Sequence, residues 1–192
     1  MAFRISDNVM KEKSNDTKTA IKREFIREYA KRKYDRITIK ELCAETPVAR
    51  TTFYSYYDNI DSVLAEMEDE IISGLKDVAK DLSEGDIQGM DFTEFFDRTM
   101  EYVKSRWSEI YALLIIQPDL RFIYKWKNAI KLHFRLRHPS KVSISNYDLI
   151  SEVVASGVIG AYRYWMQNPD RVDSEALNKV TTTALAAVAD IL

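Results

Sequence analysis

The stretch Thr38–Tyr57, TIKELCAETPVARTTFYSYY, divides into two short helices around a break. Ile39, Leu42 and Cys43 stand at the i, i+3, i+4 spacing of a buried helical stripe. Thr38 holds the N-cap position and Glu41 follows three residues later, the pattern in which each side chain satisfies a backbone N–H of the first turn. Thr46-Pro47-Val48 interrupts the run. From Ala49 to Tyr56 the chain presents Arg50, Thr51, Thr52, Tyr54, Ser55 and Tyr56, with Val48, Phe53 and Tyr57 as apolar anchors. Small hydroxyls, one guanidinium and phenols on a short helix suit the wall of a DNA major groove, where phosphates and base edges need donors from a compact surface. The segment reads as a helix-turn-helix. The competing reading is a helical hairpin whose exposed tyrosines contact protein.

Upstream, Ile21, Phe25 and Tyr29 recur at i, i+4, i+8, and Ile26 and Ala30 widen the stripe. Lys18, Lys22, Arg23, Arg27 and Lys31 occupy the other face of this helix, expected over Thr17–Lys33. Met1–Asp16 is polar and aperiodic, the texture of a flexible arm. Net charge over the 192 residues is only −2, yet it is unevenly placed. Met1–Tyr57 holds 13 Lys and Arg against 8 Asp and Glu, and the remainder 15 against 22. A basic head on an acidic body fits a head that meets nucleic acid and a body that does not. Lys18 and Lys22 could reach a phosphate backbone, as could the Thr38 hydroxyl with the N-terminus of its helix. A simple solvated basic face explains each lysine equally well.

Thr38-Ile39, Leu42-Cys43 and Val48-Ala49-Arg50-Thr51-Thr52-Phe53-Tyr54-Ser55-Tyr56-Tyr57, followed by Asp61 and Leu64, resemble the DNA-binding segment of TetR-type transcriptional regulators. The resemblance spans Thr17–Leu64, about a third of the chain. It implies an all-α homodimer that binds a palindromic DNA operator and releases it when a small apolar effector enters the C-terminal domain. It further implies Arg50, Thr51, Thr52 and Ser55 as base or phosphate readers, with Tyr54 and Tyr56 donating to the DNA backbone. Two positions depart from the family pattern. Pro47 stands where the family has Gly, so the turn must be built without a left-handed residue, with the preceding helix ending early. Ile60 stands where the family has a phosphate-gripping Lys, which predicts modestly weaker and less salt-dependent binding. These departures leave open a second reading, a helical protein-interaction or adaptor dimer that has lost specific DNA binding.

The body continues in helical periodicity. A helix capped by Asp58 or Asn59 runs to about Leu82 with Val63, Met67, Ile71, Leu75 and Val78 on one face. A loop follows at Ser83–Met90, then a helix from Asp91 to about Lys104 and an apolar segment Arg106–Ile116. Pro118 opens a helix over about Asp119–Leu136, Pro139 marks a loop, and helices follow over about Asn146–Gln167 and Asp173–Leu192. The expected organisation is a three-helix DNA-binding domain at 1–58 and a helical effector-binding and dimerisation domain at 59–192. A continuous helix rather than a linker crosses the boundary near Asp58, which suits transmission of a ligand-induced shift.

The body is rich in rings, most of which must be core. As a set they suit an apolar pocket between helices, with Tyr102, Trp107, Tyr111, Phe122 and Trp126 as candidate lining. In the penultimate helix, Ser156, Gly157, Gly160 and Ala161 would let a second backbone approach closely, which offsets the cost of two helical glycines. Shared with Ala184, Ala187 and Val188 of the last helix, they resemble the four-helix dimer interface of the family. Close packing within one subunit is the other explanation.

Other function classes find little here. His133 and His138 are the only histidines, and their i, i+5 spacing puts them on different helical faces, which serves a metal poorly. Glu68-Asp69-Glu70 reads as a solvated face, and neither a Gly-rich phosphate loop nor a nucleophile elbow is present. No catalytic residue, metal or cofactor is expected. Cys43 is the single cysteine, so no internal disulfide can form. The apolar runs at Ala112–Ile116 and Val153–Ala161 are too short to span a bilayer, and nothing at the N-terminus resembles a signal peptide. The expected location is the cytoplasm, without membrane attachment.

Overall fold

Helical periodicity becomes helix through most of the described residues: the computed structural model describes residues 2–83, 92–137 and 145–189, and among these there is no strand. The elements are α1 (Ala2–Tyr29), a 3₁₀ turn (Tyr34–Arg36), α2 (Ile39–Ala44), α3 (Arg50–Tyr54), α4 (Ile60–Ser83), α5 (Phe92–Ser105), α6 (Trp107–Tyr111), a π-helical turn (Ala112–Ile116), α7 (Leu120–Arg137), α8 (Tyr147–Gln167) and α9 (Ser174–Ala189). The chain divides into two compact units, Met1–Asp69 and Glu70–Leu192. The division falls inside α4, further along than the boundary expected at Asp58.

In the first unit, α1 begins at Ala2, so residues 2–16 are helical where the sequence suggested an arm. An apolar stripe gives a reason for burial, but its absence does not remove the helix preference of Ala, Lys, Glu, Met and Arg, and neither Pro nor Gly interrupts the stretch. The helix ends at Tyr29, earlier than Lys33, and the 3₁₀ turn takes up the difference. Ile21, Phe25, Ile26 and Tyr29 are buried as the stripe requires, together with Ile37, Leu42, Val48, Phe53, Tyr57, Val63, Leu64 and Met67. Phe25 meets Tyr29 at 5.5 Å and Phe53 meets Tyr57 at 5.7 Å between ring centroids, spacings at which aromatic pairs attract beyond the area they bury. Asn59 caps α4, its Oδ1 accepting the Ser62 N–H at 2.9 Å. Glu68 is fully buried, contrary to the solvated face expected of it, whereas Asp69 and Glu70 are exposed. One residue advances the helix by about 100°, which sets Glu68 in register with buried Leu64 and Ile72 and turns its neighbours outward.

In the second unit, α7 and α8 form an antiparallel pair. Phe134 stacks on Tyr147 at 5.9 Å and Trp126 meets Tyr162 in a tilted pair at 5.3 Å, so the order along one helix reverses along the other. Helix α9 packs on both α5 and α8. Asp119, not Pro118, sets the start of α7, its Oδ1 accepting the N–H of Arg121 at 2.7 Å and of Phe122 at 3.2 Å. The expected apolar segment Arg106–Ile116 becomes α6 plus one π turn, closed by the Gln117 N–H on the Ala112 carbonyl at 3.0 Å. The loop expected around Pro139 and the end of the last helix beyond Ala189 lie outside the described residues, as do His138 and all but the first residue of the Ser83–Met90 loop.

Candidate nucleic-acid interface, body cavity and outer face

The capping box forms. The Thr38 hydroxyl donates to Glu41 Oε2 at 2.6 Å and accepts the Glu41 N–H at 3.3 Å, while the Thr38 N–H donates to Glu41 Oε2 at 3.2 Å. Arg32 adds a hydrogen bond to the same carboxylate at 2.6 Å. Thr38 and Arg32 together hold the Glu41 carboxyl below the usual carboxylate range. The hydroxyl expected to meet a phosphate therefore already serves its own helix.

The turn accommodates Pro47 without any left-handed residue. Helix α2 stops at Ala44, Glu45 takes φ −95° and ψ 0°, and its N–H returns to the Glu41 carbonyl. The Thr46 hydroxyl then donates to the Leu42 carbonyl at 2.9 Å, satisfying an acceptor that the shortened helix leaves open. Helix α3 follows from Ala49, which offers no side-chain cap.

On α3 the sorting of side chains is sharp. Phe53 is 0% exposed and Tyr54 beside it 57% exposed. Arg50, Thr51, Thr52 and Ser55 are exposed, Tyr56 is half-buried and Tyr57 buried. Ser55 donates its hydroxyl to the Thr52 carbonyl at 2.7 Å, which leaves its oxygen free only to accept. A compact surface of one cation, hydroxyls and a phenol thus stands outward on a helix anchored by a single ring.

Lys18 and Lys22 are placed differently from the expectation. Both pair with Glu66 of α4, at 2.8 and 2.7 Å, and the Lys18 ammonium also lies 5.4 Å over the Tyr57 ring. Burial pushes the Glu66 carboxyl up, and hydrogen bonds from the two lysines more than reverse this, leaving it lowered.

In the body, one cavity opens among α4, α5, α7, α8 and α9, lined by Leu75, Ala79, Phe95, Phe96, Thr99, Trp126, Ile130, His133, Phe134, Val158, Tyr162 and Leu185 among others. Its free space of about 60 Å³ compares with the ~10–15 Å³ that one water needs on this measure, so it admits a small group as it stands. Polar atoms are few. Thr99 donates to the Phe95 carbonyl at 2.8 Å, and His133 stacks on the Phe95 ring at 4.2 Å. The Tyr162 hydroxyl, fully buried, has no hydrogen-bond partner among the described residues, and burial pushes its pKa far up.

Of the five rings expected to line a pocket, Trp126 does so. Phe122 is core against Trp126, and Trp107 stacks on Tyr111 while meeting the Trp165 edge at 5.1 Å. Tyr102 lies across α4, its hydroxyl donating to the Glu70 carbonyl at 3.4 Å in space left by the missing side chain of Gly74. Phe95, Phe96, His133 and Tyr162 were missed; rings on three different helices share no signal along the sequence.

Ser156, Gly157, Gly160, Ala184 and Ala187 are exposed, and a side chain added at Gly157 or Gly160 would meet nothing within 4 Å. Ala161 is half-buried, and Val188 is half-buried against the Phe134–Tyr147–Val154 cluster. The glycines therefore do not serve close packing within the described subunit. The same outer face carries Leu149, Val153 and Tyr164, at 63%, 52% and 56% exposure, and α9 adds Val180 at 69%. Their spacing from Gly157 and Gly160, close to multiples of 3.6, was a signal available in the sequence. Among the described residues no group of His, Cys, Asp and Glu could hold a metal ion, and no helix is long and apolar enough to cross a membrane.

No protein-family profile matches the chain, and no curated protein matches it either. Solved structures do. A TetR transcriptional regulator from Streptococcus agalactiae 2603V superposes with a TM-score of 0.68 at 22% identity, over 93% of this chain and 98% of that one. The Dihydroxyacetone kinase operon activator DhaS superposes with a TM-score of 0.61 at 15% identity, over 92% and 97% respectively. The chain has the all-helical fold of TetR-type transcriptional regulators.

Proposed function

We propose that the chain is a sequence-specific DNA-binding transcriptional regulator that acts as a homodimer. The observation that carries this reading is the outward face of α3, where Arg50, Thr51, Thr52, Tyr54 and Ser55 are all exposed and Phe53 alone is buried. An amphipathic helix with this polar face has the donors that phosphates and base edges require. Two heads on a symmetric dimer would address two half-sites of a palindrome. The uncharged outer strip of α8 and α9, with open space at Gly157 and Gly160, supports self-association there.

In the body, the apolar cavity beside Trp126 and Tyr162 supports a small apolar effector as the release signal. Its binding would favour a state of the dimer that fits the operator less well, a coupling of typically about 1–3 kcal/mol. We read the chain as a repressor. A reporter gene under its operator reads the sign of regulation directly, and transcription that rises with the regulator would reverse that reading. The reading names neither a catalytic residue nor a cofactor.

The test is the joint replacement Arg50→Ala with Tyr54→Ala. Operator binding should disappear while helix content and dimer mass stay as in the parent. Unchanged affinity would move the assignment to the protein-interaction reading, in which α3 presents its tyrosines to a protein partner.

A further inference from the structure

A cation attracts a phosphate only with charge that no nearby carboxylate already matches. Of the ten head cations whose side chains are described, five are matched. Glu66 takes Lys18 and Lys22, Glu24 and Glu45 each take Arg27 at 3.1 Å, Glu28 takes Lys31 at 3.3 Å, and Glu28 and Glu41 take Arg32. Among the described residues of the head, Arg23, Lys33, Arg36, Lys40 and Arg50 are exposed with no carboxylate at ion-pair distance. Three of these five fall within residues 33–40, which comprise part of the connection from α1 and the first two residues of α2.

That stretch is held in place. The Tyr34 ring packs 6.5 Å from Phe25 and 6.1 Å from Tyr29, and its hydroxyl donates to Asp61 at 2.9 Å. Ile37 is buried, the Arg36 N–H donates to the Lys33 carbonyl at 2.9 Å, and the Thr38–Glu41 box closes the far end. Anchors thus turn inward between cations that turn outward, so only side-chain freedom is lost when Lys33, Arg36 and Lys40 meet an anion. Asp35 is the exposed carboxylate within the strip and leaves it net positive. Lys18 and Lys22 face the opposite balance. Releasing either toward a phosphate removes a partner from Glu66, whose charge is already penalised by burial.

Resting on the DNA-binding reading above, we propose that Lys33, Arg36 and Lys40 form the phosphate anchor of the head, and that Lys18 and Lys22 are internal ties rather than DNA contacts. The anchor supplies sequence-independent affinity beside the base-reading face of α3.

The experiment measures binding of the full chain to a mixed-sequence duplex across a salt series. The triple variant Lys33→Ala/Arg36→Ala/Lys40→Ala should flatten the slope of log K against log salt by about 2–3 per bound head, at ~0.9 per lost phosphate contact. Lys18→Ala/Lys22→Ala should leave the slope unchanged. Circular dichroism melts check that each variant folds, and the three single variants, each flattening the slope by about 0.9, carry the test if the triple does not. A flatter slope for the α1 pair with none for the strip overturns the anchor while leaving DNA binding intact. Absence of any salt-dependent duplex binding by the parent overturns the DNA-binding reading itself.

Discussion

Head and body differ in where their chemistry lies. In the head it lies on the surface of α3, and half of the described basic charge is cancelled by neighbouring carboxylates. In the body the distinctive features are apolar: a cavity floored by rings, and an outer face of Leu149, Val153, Gly157, Gly160 and Tyr164 that carries no charge. A surplus of charge in a sequence is not the same as available charge, whereas the exposed apolar strip of α8 has nothing covering it among the described residues. Four of the head's ion pairs, those of Glu66, Glu45 and Glu41, join segments apart in sequence. Exposure of a helical face follows from its own periodicity.

The sharpest way to break the comparison is to place a charge on the body's outer face. Gly160→Arg has room in the subunit, so helix content should hold while analytical ultracentrifugation reports monomer in place of dimer. A dimer of unchanged mass would place the interface elsewhere. Next in size, Phe53→Ala removes the single ring that anchors α3 and should cost about 3–5 kcal/mol in urea denaturation, the usual loss for a buried aromatic. Thr38→Ala removes one half of the capping box, and about 1 kcal/mol of stability should go with it. A loss near zero would mean that Arg32 alone fixes Glu41.

The smallest effect sharpens the contrast between the two kinds of surface. Glu152 of α8 is paired with Lys127 at 2.7 Å and with Lys131, and these hydrogen bonds pull its carboxyl from 4.5 down to about 2. A depressed carboxylate contributes stability that is complete above its unfolded value and is lost as pH falls through its folded one. The difference in melting temperature between the parent and Glu152→Gln should therefore be steady above pH 4.5 and shrink as pH falls toward about 2. Because the pair is solvent-screened, the difference is small throughout. A difference that grows on acidification would contradict the pairing.

How much of this was legible in the sequence follows the same division. The i, i+4, i+8 stripe of α1, the Thr38 cap and the inward Phe53 are local, and each stands where its spacing required. Residues 2–16 are helical where an arm is expected, because helix propensity acts even where the sequence shows no apolar stripe. The pairing of Lys18 and Lys22 with Glu66 joins α1 to α4, and nothing in either segment announces it. The cavity depends on which rings of α5, α7 and α8 converge, so Trp126 was found and Phe95, Phe96, His133 and Tyr162 were not. Pro47 signals a changed turn in the sequence, and the Thr46 hydroxyl that compensates for it acts locally, on the Leu42 carbonyl four residues back.

The central claim, that this helical chain reads a DNA sequence, is tested most directly by a genomic-fragment binding selection with the purified protein at several salt concentrations. The account predicts enrichment of one palindromic site whose binding weakens steeply as salt rises. Weak capture with no enriched sequence at any salt would contradict it.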